Sequence, residues 1–225
     1  QEIAAVKASV VEVLIVSSGA VAAGRDSLSR TSGDHKLQVG TVAYRQALAA
    51  LGQPQLMMTF EQLFARYNVE VAQALISRGD LQSRSRYLNV RNTLDALLSI
   101  GAVPVINEND VVAVAELAGE VYGDNERLSA MVANKVDADL MILLADMDSL
   151  YTADPHVDPN AELISIVDEI GNTIEKAARG PHDKRGSGGM SSKLDAARMS
   201  MDYGIPMIIG SGSVEGIIKS IGNGE

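Results

Sequence analysis

The segment Gly186-Ser187-Gly188-Gly189-Met190-Ser191-Ser192-Lys193 holds the residue types needed to bind an anion. Three glycines ahead of a helix free backbone amides to converge on a phosphate, and the helix start adds a dipole that favours negative charge. Ser191, Ser192 and Lys193 open that helix, and Lys193 is the candidate to offset charge on β- and γ-phosphates. The spacing is neither that of G-x-x-x-x-G-K-[ST] nor that of a G-x-G-x-x-G turn after a strand. A surface loop carrying a lysine would use the same residues, so this segment alone does not choose between the two. Read as a cradle, it serves phosphoryl transfer, where positioning and cations stabilise a transition state that spreads negative charge over the moving group. A carboxylate acceptor is already ionised near neutral pH and needs no general base. That fits His35, His156 and His182, which all fall in loops and read as surface residues.

A second set of polar residues follows two apolar runs. Val103 to Ile106 stops in Asn107, Asn109 and Asp110, and Leu140 to Ala145 stops in Asp146 and Asp148. Open α/β sheets bind ligands beyond the carboxyl ends of their strands, so these groups are candidates for one crevice. Asp146 and Asp148 could serve a metal or line a base or ribose; the calcium-loop pattern is not met, and magnesium would arrive with a nucleotide and keep several waters. Gly123-Asp124-Asn125 opens a helix to about Asn134, with Asp124 or Asn125 as N-cap and Leu128, Met131 and Val132 buried. Ser17-Ser18-Gly19-Ala20, directly after an apolar run, is either a plain tight turn or a place where a ligand reaches backbone amides.

The elements that must position these groups alternate. Strands are expected at Val11 to Val16, Val69 to Ile76, Val103 to Ile106, Leu140 to Ala145 and Pro206 to Ile209. Helices are expected over residues 1–9, over Val39 to Leu51 and Gln55 to Tyr67 with a joint at Gly52-Gln53-Pro54, and over Tyr87 to Ile100. Further helices follow at Ile170 to Ala178, Met190 to Tyr203 and Val214 to Ile221. Val111 to Tyr122 alternates and reads as a hairpin; the stretch after Leu150-Tyr151 reads as a turn-rich loop. Arg84, Arg86 and Arg91 read as a solvated face or subunit contact more than a phosphate site. The order means an α/β fold with a largely parallel sheet and helices on both faces.

Composition narrows the partners. With 46% hydrophobic and 21% charged residues the chain is of the globular type, and 225 residues suffice for one large or two small domains. A net charge of −10 repels a phosphate backbone, which argues against nucleic acid and requires local cations or amides if the ligand is an anion. No apolar run reaches the roughly 20 residues of a membrane span, and no secretory start is visible, so a cytoplasmic location is expected. Zero cysteines agrees with a reducing compartment and removes thiolate chemistry.

Five stretches, in order, resemble the glutamate 5-kinases of the amino acid kinase family: IVSSGAVAAG at 15–24, PVINEND at 104–110, YGDN at 122–125 followed by RLSAMVA, LLADMDSLYTADP at 143–155, and GSGGMSSKLDAA at 186–197. The resemblance implies a three-layer α/β/α sandwich and ATP-dependent phosphorylation of the L-glutamate side-chain carboxylate, the first step of proline biosynthesis. It implies Ser18, Asp110 and Asn125 as glutamate-binding, and Ala145, Asp146 and Ser187, Gly188, Gly189, Met190, Ser191, Ser192 and Lys193 as ATP-binding. Lys193 would also neutralise the transition state, and Glu126 stands where an aspartate usually orients the lysines. Ala145 stands where a threonine is usual. The implied cofactor is ATP with Mg²⁺, the implied assembly a homodimer or homotetramer, and proline a candidate feedback inhibitor. The chain is expected to be a single such domain, with substrate binding over about 1–135 and nucleotide binding over about 136–225. The 225 residues are expected to lack the family's first strand, with its lysine before a glycine turn, through truncation or loss, and the RNA-binding-like C-terminal domain of many relatives; Lys7, followed by Ala8-Ser9, reads as a surface helix residue. The alternatives are a sister kinase acting on another carboxylate, a carbamate or a nucleoside monophosphate, and a non-catalytic relative that binds glutamate or proline.

Overall fold

The computed structural model describes residues 1–9, 11–30, 39–113, 125–146, 150–153, 158, 160–178 and 190–224. They form two compact units, Gln1–Glu120 and Val121–Glu225.

The first unit is built on β3 (Val103–Glu108), flanked by β1 (Ile15–Val16) and β2 (Val71–Ile76), with both pairings parallel. Val103, Val105 and Ile106 are fully buried, as an apolar run sandwiched on both faces of a parallel sheet should be. Pro104 sits in this central strand without breaking the β2–β3 ladder. Val103 donates to the Glu70 carbonyl on the β2 side, so alternation turns the Pro104 nitrogen toward β1, whose register begins only at Ile15 opposite Val105. That missing donor removes the rung next to Ile15, and because β3 begins only at Val103, with the Ala102 amide donating to the Leu97 carbonyl, the strand expected from Val11 shortens to two residues.

Helix α1 (Glu2–Lys7) precedes the sheet and ends at Lys7; α2 (Ala20–Ser29) and α3 (Val42–Ala65) follow β1. The expected joint at Gly52-Gln53-Pro54 does not exist, because α3 runs unbroken through Pro54. The close approach of α2 holds it. A Cβ at Gly52 would stand 1.8 Å from the Ala20 carbonyl oxygen, and one at Gly24 would stand 1.8 Å from that of Leu48. Two glycines thus let the helix backbones touch, and the packing outweighs a proline penalty of about 3 kcal/mol. The unit continues with α4 (Arg78–Gln82) and α5 (Arg84–Ser99), where Asp80 accepts from the Ser77 amide at 2.9 Å to close the α4 start.

In the second unit β4 (Met141–Ala145) pairs in parallel with β7 (Met207–Ser211), and β5 (Leu150–Tyr151) pairs antiparallel with β6 (Leu163–Ile164). The β5–β6 pair brackets what the turn signals alone present as loop. Helices α6 (Asn125–Lys135) and α8 (Met190–Asp202) cover one face of β4 and β7, joined by Ala130, Ala133, Met141, Leu143, Ala196 and Ile205. Alanines at those positions let the two helices approach closely. The Ser200 hydroxyl donates to the Ile205 carbonyl at 2.8 Å and ties the end of α8 to the entry of β7. Helices α7 (Asn172–Ala178) and α9 (Ile217–Gly222) complete the unit. The expected hairpin from Val111 lies, after Ala113, outside the described residues, as do all three histidines.

Candidate functional site

In the first unit two strand ends come together. Val16 is in register with Ile106, and the Ser17 amide donates to the Ile106 carbonyl at 2.8 Å, so Ser18 leaves the sheet beside the start of the Asn107–Asp110 turn. Gly19, with φ of 105°, makes the sharp exit and caps α2. Beyond β3, the Asn109 carbonyl accepts from the amides of Val112 and Ala113, and Gln46 donates to the Val111 carbonyl at 3.4 Å; these bonds hold Asp110 in a turn against α3.

Beneath that turn runs a chain of amides. Asn107 is 3% exposed; its Nδ2 donates to Gln53 Oε1 at 2.9 Å, and its Oδ1 accepts from the Glu108 amide at 2.9 Å. Gln53 in turn donates to Gln73 Oε1 at 3.2 Å. A pocket of about 200 Å³ opens above this chain, lined among others by Gln53, Pro54, Gln73, Leu75, Glu108 and Asp110. Burial raises the Asp110 carboxyl above its ordinary range, with the Arg45 guanidinium pulling the other way. A half-buried carboxylate of this kind gains from a cationic ligand more than an exposed one does.

In the second unit α6 leads into β4 and α8 into β7, and each helix runs antiparallel to its strand, so both helices open at the edge where both strands end. Lys193, in the first turn of α8, is 7% exposed, and its Nζ lies 3.5 Å from Glu126 Oε1 in the first turn of α6. A buried ammonium is costly unless paired, and Glu126 is the partner the geometry supplies. Asn125 Oδ1 is buried without a hydrogen-bond partner among the described residues. Ala145 and Asp146 end β4 at the same edge. Met190 turns into an apolar cluster with Leu150 and Leu194, while Ser191 is exposed and Ser192 half-buried. Ser187, Gly188, Gly189, Asp124 and Asp148 lie outside the described residues.

Three features went unnoticed in the sequence. Gln53 and Gln73 sit inside a helix and a strand with nothing local to mark them. Arg45 is equally silent. Ser211-Gly212-Ser213, by contrast, ends a strand in polar residues just as Asn107 and Asp146 do, and that signal was available. Among the arginines, Arg86 lies 3.4 Å from Asp80 and Arg91 lies 3.7 Å from Asp95, the pattern of a solvated face. Among the described residues no three acidic or histidine side chains gather into a metal cage.

Parallel strands that end in polar turns, with helices opening at the same edge, define the α/β class that binds ligands beyond its strand ends. The chain belongs to the amino acid kinase family, whose sequence model matches residues 1–211. It is 47% identical over 214 residues to a glutamate 5-kinase of Dehalococcoides mccartyi, a match covering 95% of this chain and 56% of that one. It is 46% identical over 224 residues to a glutamate 5-kinase of Trichlorobacter lovleyi, covering all of this chain and 57% of the relative. The chain thus spans little more than half the length of these relatives. Among solved structures it resembles an isopentenyl phosphate kinase, with TM-score 0.61 and 15% identity over 100% of this chain and 86% of the other. It also resembles the uridylate kinase of Archaeoglobus fulgidus, with TM-score 0.57 and 16% identity over the same shares. These two likenesses establish the α/β fold of the family and nothing finer.

Proposed function

We propose that the chain forms the phosphotransfer part of a glutamate 5-kinase, moving the γ-phosphoryl group of ATP to the side-chain carboxylate of L-glutamate and releasing ADP and glutamyl 5-phosphate. The observation that carries this reading is the buried Lys193–Glu126 pair at the edge where β4 and β7 end. A lysine held there by a carboxylate is a fixed cation aimed at charge that develops during transfer, and no proton need be removed from an ionised acceptor. The identity to glutamate 5-kinases supports the choice of acceptor.

In this reading Asp110 holds the α-ammonium of glutamate, while Ser18 and the Asn125 side chain bind its remaining polar groups. Ala145, Asp146 and the segment Ser187 to Lys193 take the nucleotide. Mg²⁺ would be held mainly by phosphates and waters. Assembly into a homodimer or homotetramer and inhibition by proline belong to the same proposal. The test is ADP release from Mg-ATP with L-glutamate, with aspartate, with UMP and with no acceptor. Release that depends on L-glutamate alone is expected; equal release with aspartate or UMP would remove glutamate as the substrate.

A further inference from the structure

Strand β7 ends in Ser211-Gly212-Ser213, and this turn is fastened to β4. Ala145 and Ser211 are register partners, and the Gly212 amide donates to the Ala145 carbonyl at 3.0 Å. Side chains alternate along a strand, so Ala145 shares a face with Met141 and Leu143, and Ser211 with Met207 and Ile209. Those four residues belong to the core beneath α6 and α8. Ser211 therefore lies on the helix-bearing face, at the edge where α6 and α8 bring Glu126 and Lys193. At that level of the sheet Ala145 offers no polar side-chain atom, and its neighbour offers a hydroxyl.

The hydrogen-bond count at this turn leaves a donor over. Ser211, 6% exposed, accepts from the Ser213 amide at 3.3 Å, and the two hydroxyl oxygens stand 2.7 Å apart. Either hydroxyl can donate to the other, but one bond between two hydroxyls uses only one of their two protons. Whichever way the pair is oriented, one O–H remains without an acceptor among the described residues. The spare proton sits on the buried Ser211 in one orientation and on the exposed Ser213 in the other, and in both the pair presents it at the end of β7 beside the end of β4, where an incoming oxygen acceptor could take it.

We propose that the Ser211–Ser213 pair donates this proton to an oxygen of a nucleoside triphosphate bound beyond β4 and β7, so that Ser211 sets nucleotide affinity in place of a side chain at Ala145. The inference rests on the kinase reading above. The experiment is calorimetric titration with a non-hydrolysable ATP analogue, together with KM for ATP and for L-glutamate. Ser211→Ala is expected to weaken the analogue about tenfold and raise KM for ATP to match, with KM for L-glutamate moving less than twofold. Ser211→Thr keeps the hydroxyl and is expected to bind as the wild type does. Ala145→Ser, placing a hydroxyl at the paired position on the same face, is expected to recover most of the loss in the Ser211→Ala background and to tighten binding about threefold alone. Unchanged analogue affinity in Ser211→Ala and in Ala145→Ser, with the wild type binding, would overturn this proposal and leave the kinase reading intact. Equal losses toward both substrates that Ser211→Thr does not restore would reduce Ser211 to a structural role. A wild-type chain that binds no nucleotide would overturn both readings.

Discussion

At the edge where β3 ends, the buried polar side chains are the neutral amides Asn107 and Gln53, which reach the exposed Gln73 of β2, whereas at the edge where β4 and β7 end a buried Lys193 pairs with the half-buried Glu126 near the buried hydroxyl of Ser211. Amides can satisfy one another in a low-dielectric interior and fix the shape of a pocket without a net field. A buried ion pair is harder to justify on stability, because desolvation offsets much of its attraction. It persists where a fixed charge is useful. In the proposed function the first edge would recognise a small polar molecule, and the second would hold and move negative charge. If this contrast is sound, mutations at the second edge should act first on turnover, and those at the first edge on substrate affinity and folding.

The largest effect is expected from Lys193→Met, which removes the cation and strands Glu126. Turnover should fall by about 10²–10³-fold, the usual loss of one fixed charge-stabilising donor, in steady-state assays at saturating ATP and glutamate. Glu126→Gln keeps the lysine but loosens it, so a smaller fall is expected. A Lys193→Met enzyme that turns over within threefold of the wild type would end the comparison, since the second edge would then have no use for its charge.

Next comes a break in the frame of the first edge. Gly52→Ala places a Cβ where the Ala20 carbonyl oxygen already stands, and backbone cannot swing aside as a side chain can. A loss of about 3 kcal/mol in denaturant melts is expected, at the upper end of what overpacking costs. Asn107→Leu should follow with about 1–3 kcal/mol, because it leaves Gln53 Oε1 and the Glu108 amide without their partner in a buried place. Its glutamate KM should rise while its ATP KM holds. A change in ATP KM alone would invert the division of labour between the edges.

The legible parts of this chain were those with local signatures. The apolar run at Val103–Ile106, the polar stop after it and the helix start at Ser191 to Lys193 follow from side-chain type and spacing, and the strand and helix are where that spacing puts them. What escaped was decided by contacts between distant segments. Pro54 reads as a breaker, and only the touching backbones at Gly24 and Gly52 keep α3 whole. Val11 to Val16 reads as six residues of strand, and the donor missing at Pro104, some ninety positions on, together with the late start of β3 at Val103, shortens it. Gln53 and Gln73 become a network solely because α3 lies over β2. The ion pair has the same origin: Lys193 and Glu126 each look like a helix-start residue until α6 and α8 bring them within 3.5 Å.

The smallest effect sharpens the contrast most, because at Asp110 affinity and stability should move in opposite directions. Burial raises its carboxyl above the ordinary value of 3.8, with Arg45 only partly opposing. The native state then holds the Asp110 proton more tightly than the unfolded chain does. The stabilising contribution of the protonated form is complete below the unfolded value and is lost as pH rises through the folded one. At neutral pH the ionised carboxylate is thus a cost to the fold, one that the ligand ammonium of the proposed function would offset. Asp110→Asn should raise the melting temperature at pH 7, and the gain should close as the pH is lowered and the wild-type carboxyl takes up its proton. The same substitution should raise KM for L-glutamate, as should acidification of the wild type, because each removes the charge facing the ammonium. A melting temperature that falls in Asp110→Asn at pH 7 would mean that Arg45, not burial, governs this carboxylate, and the first edge would then hold an ion pair of its own.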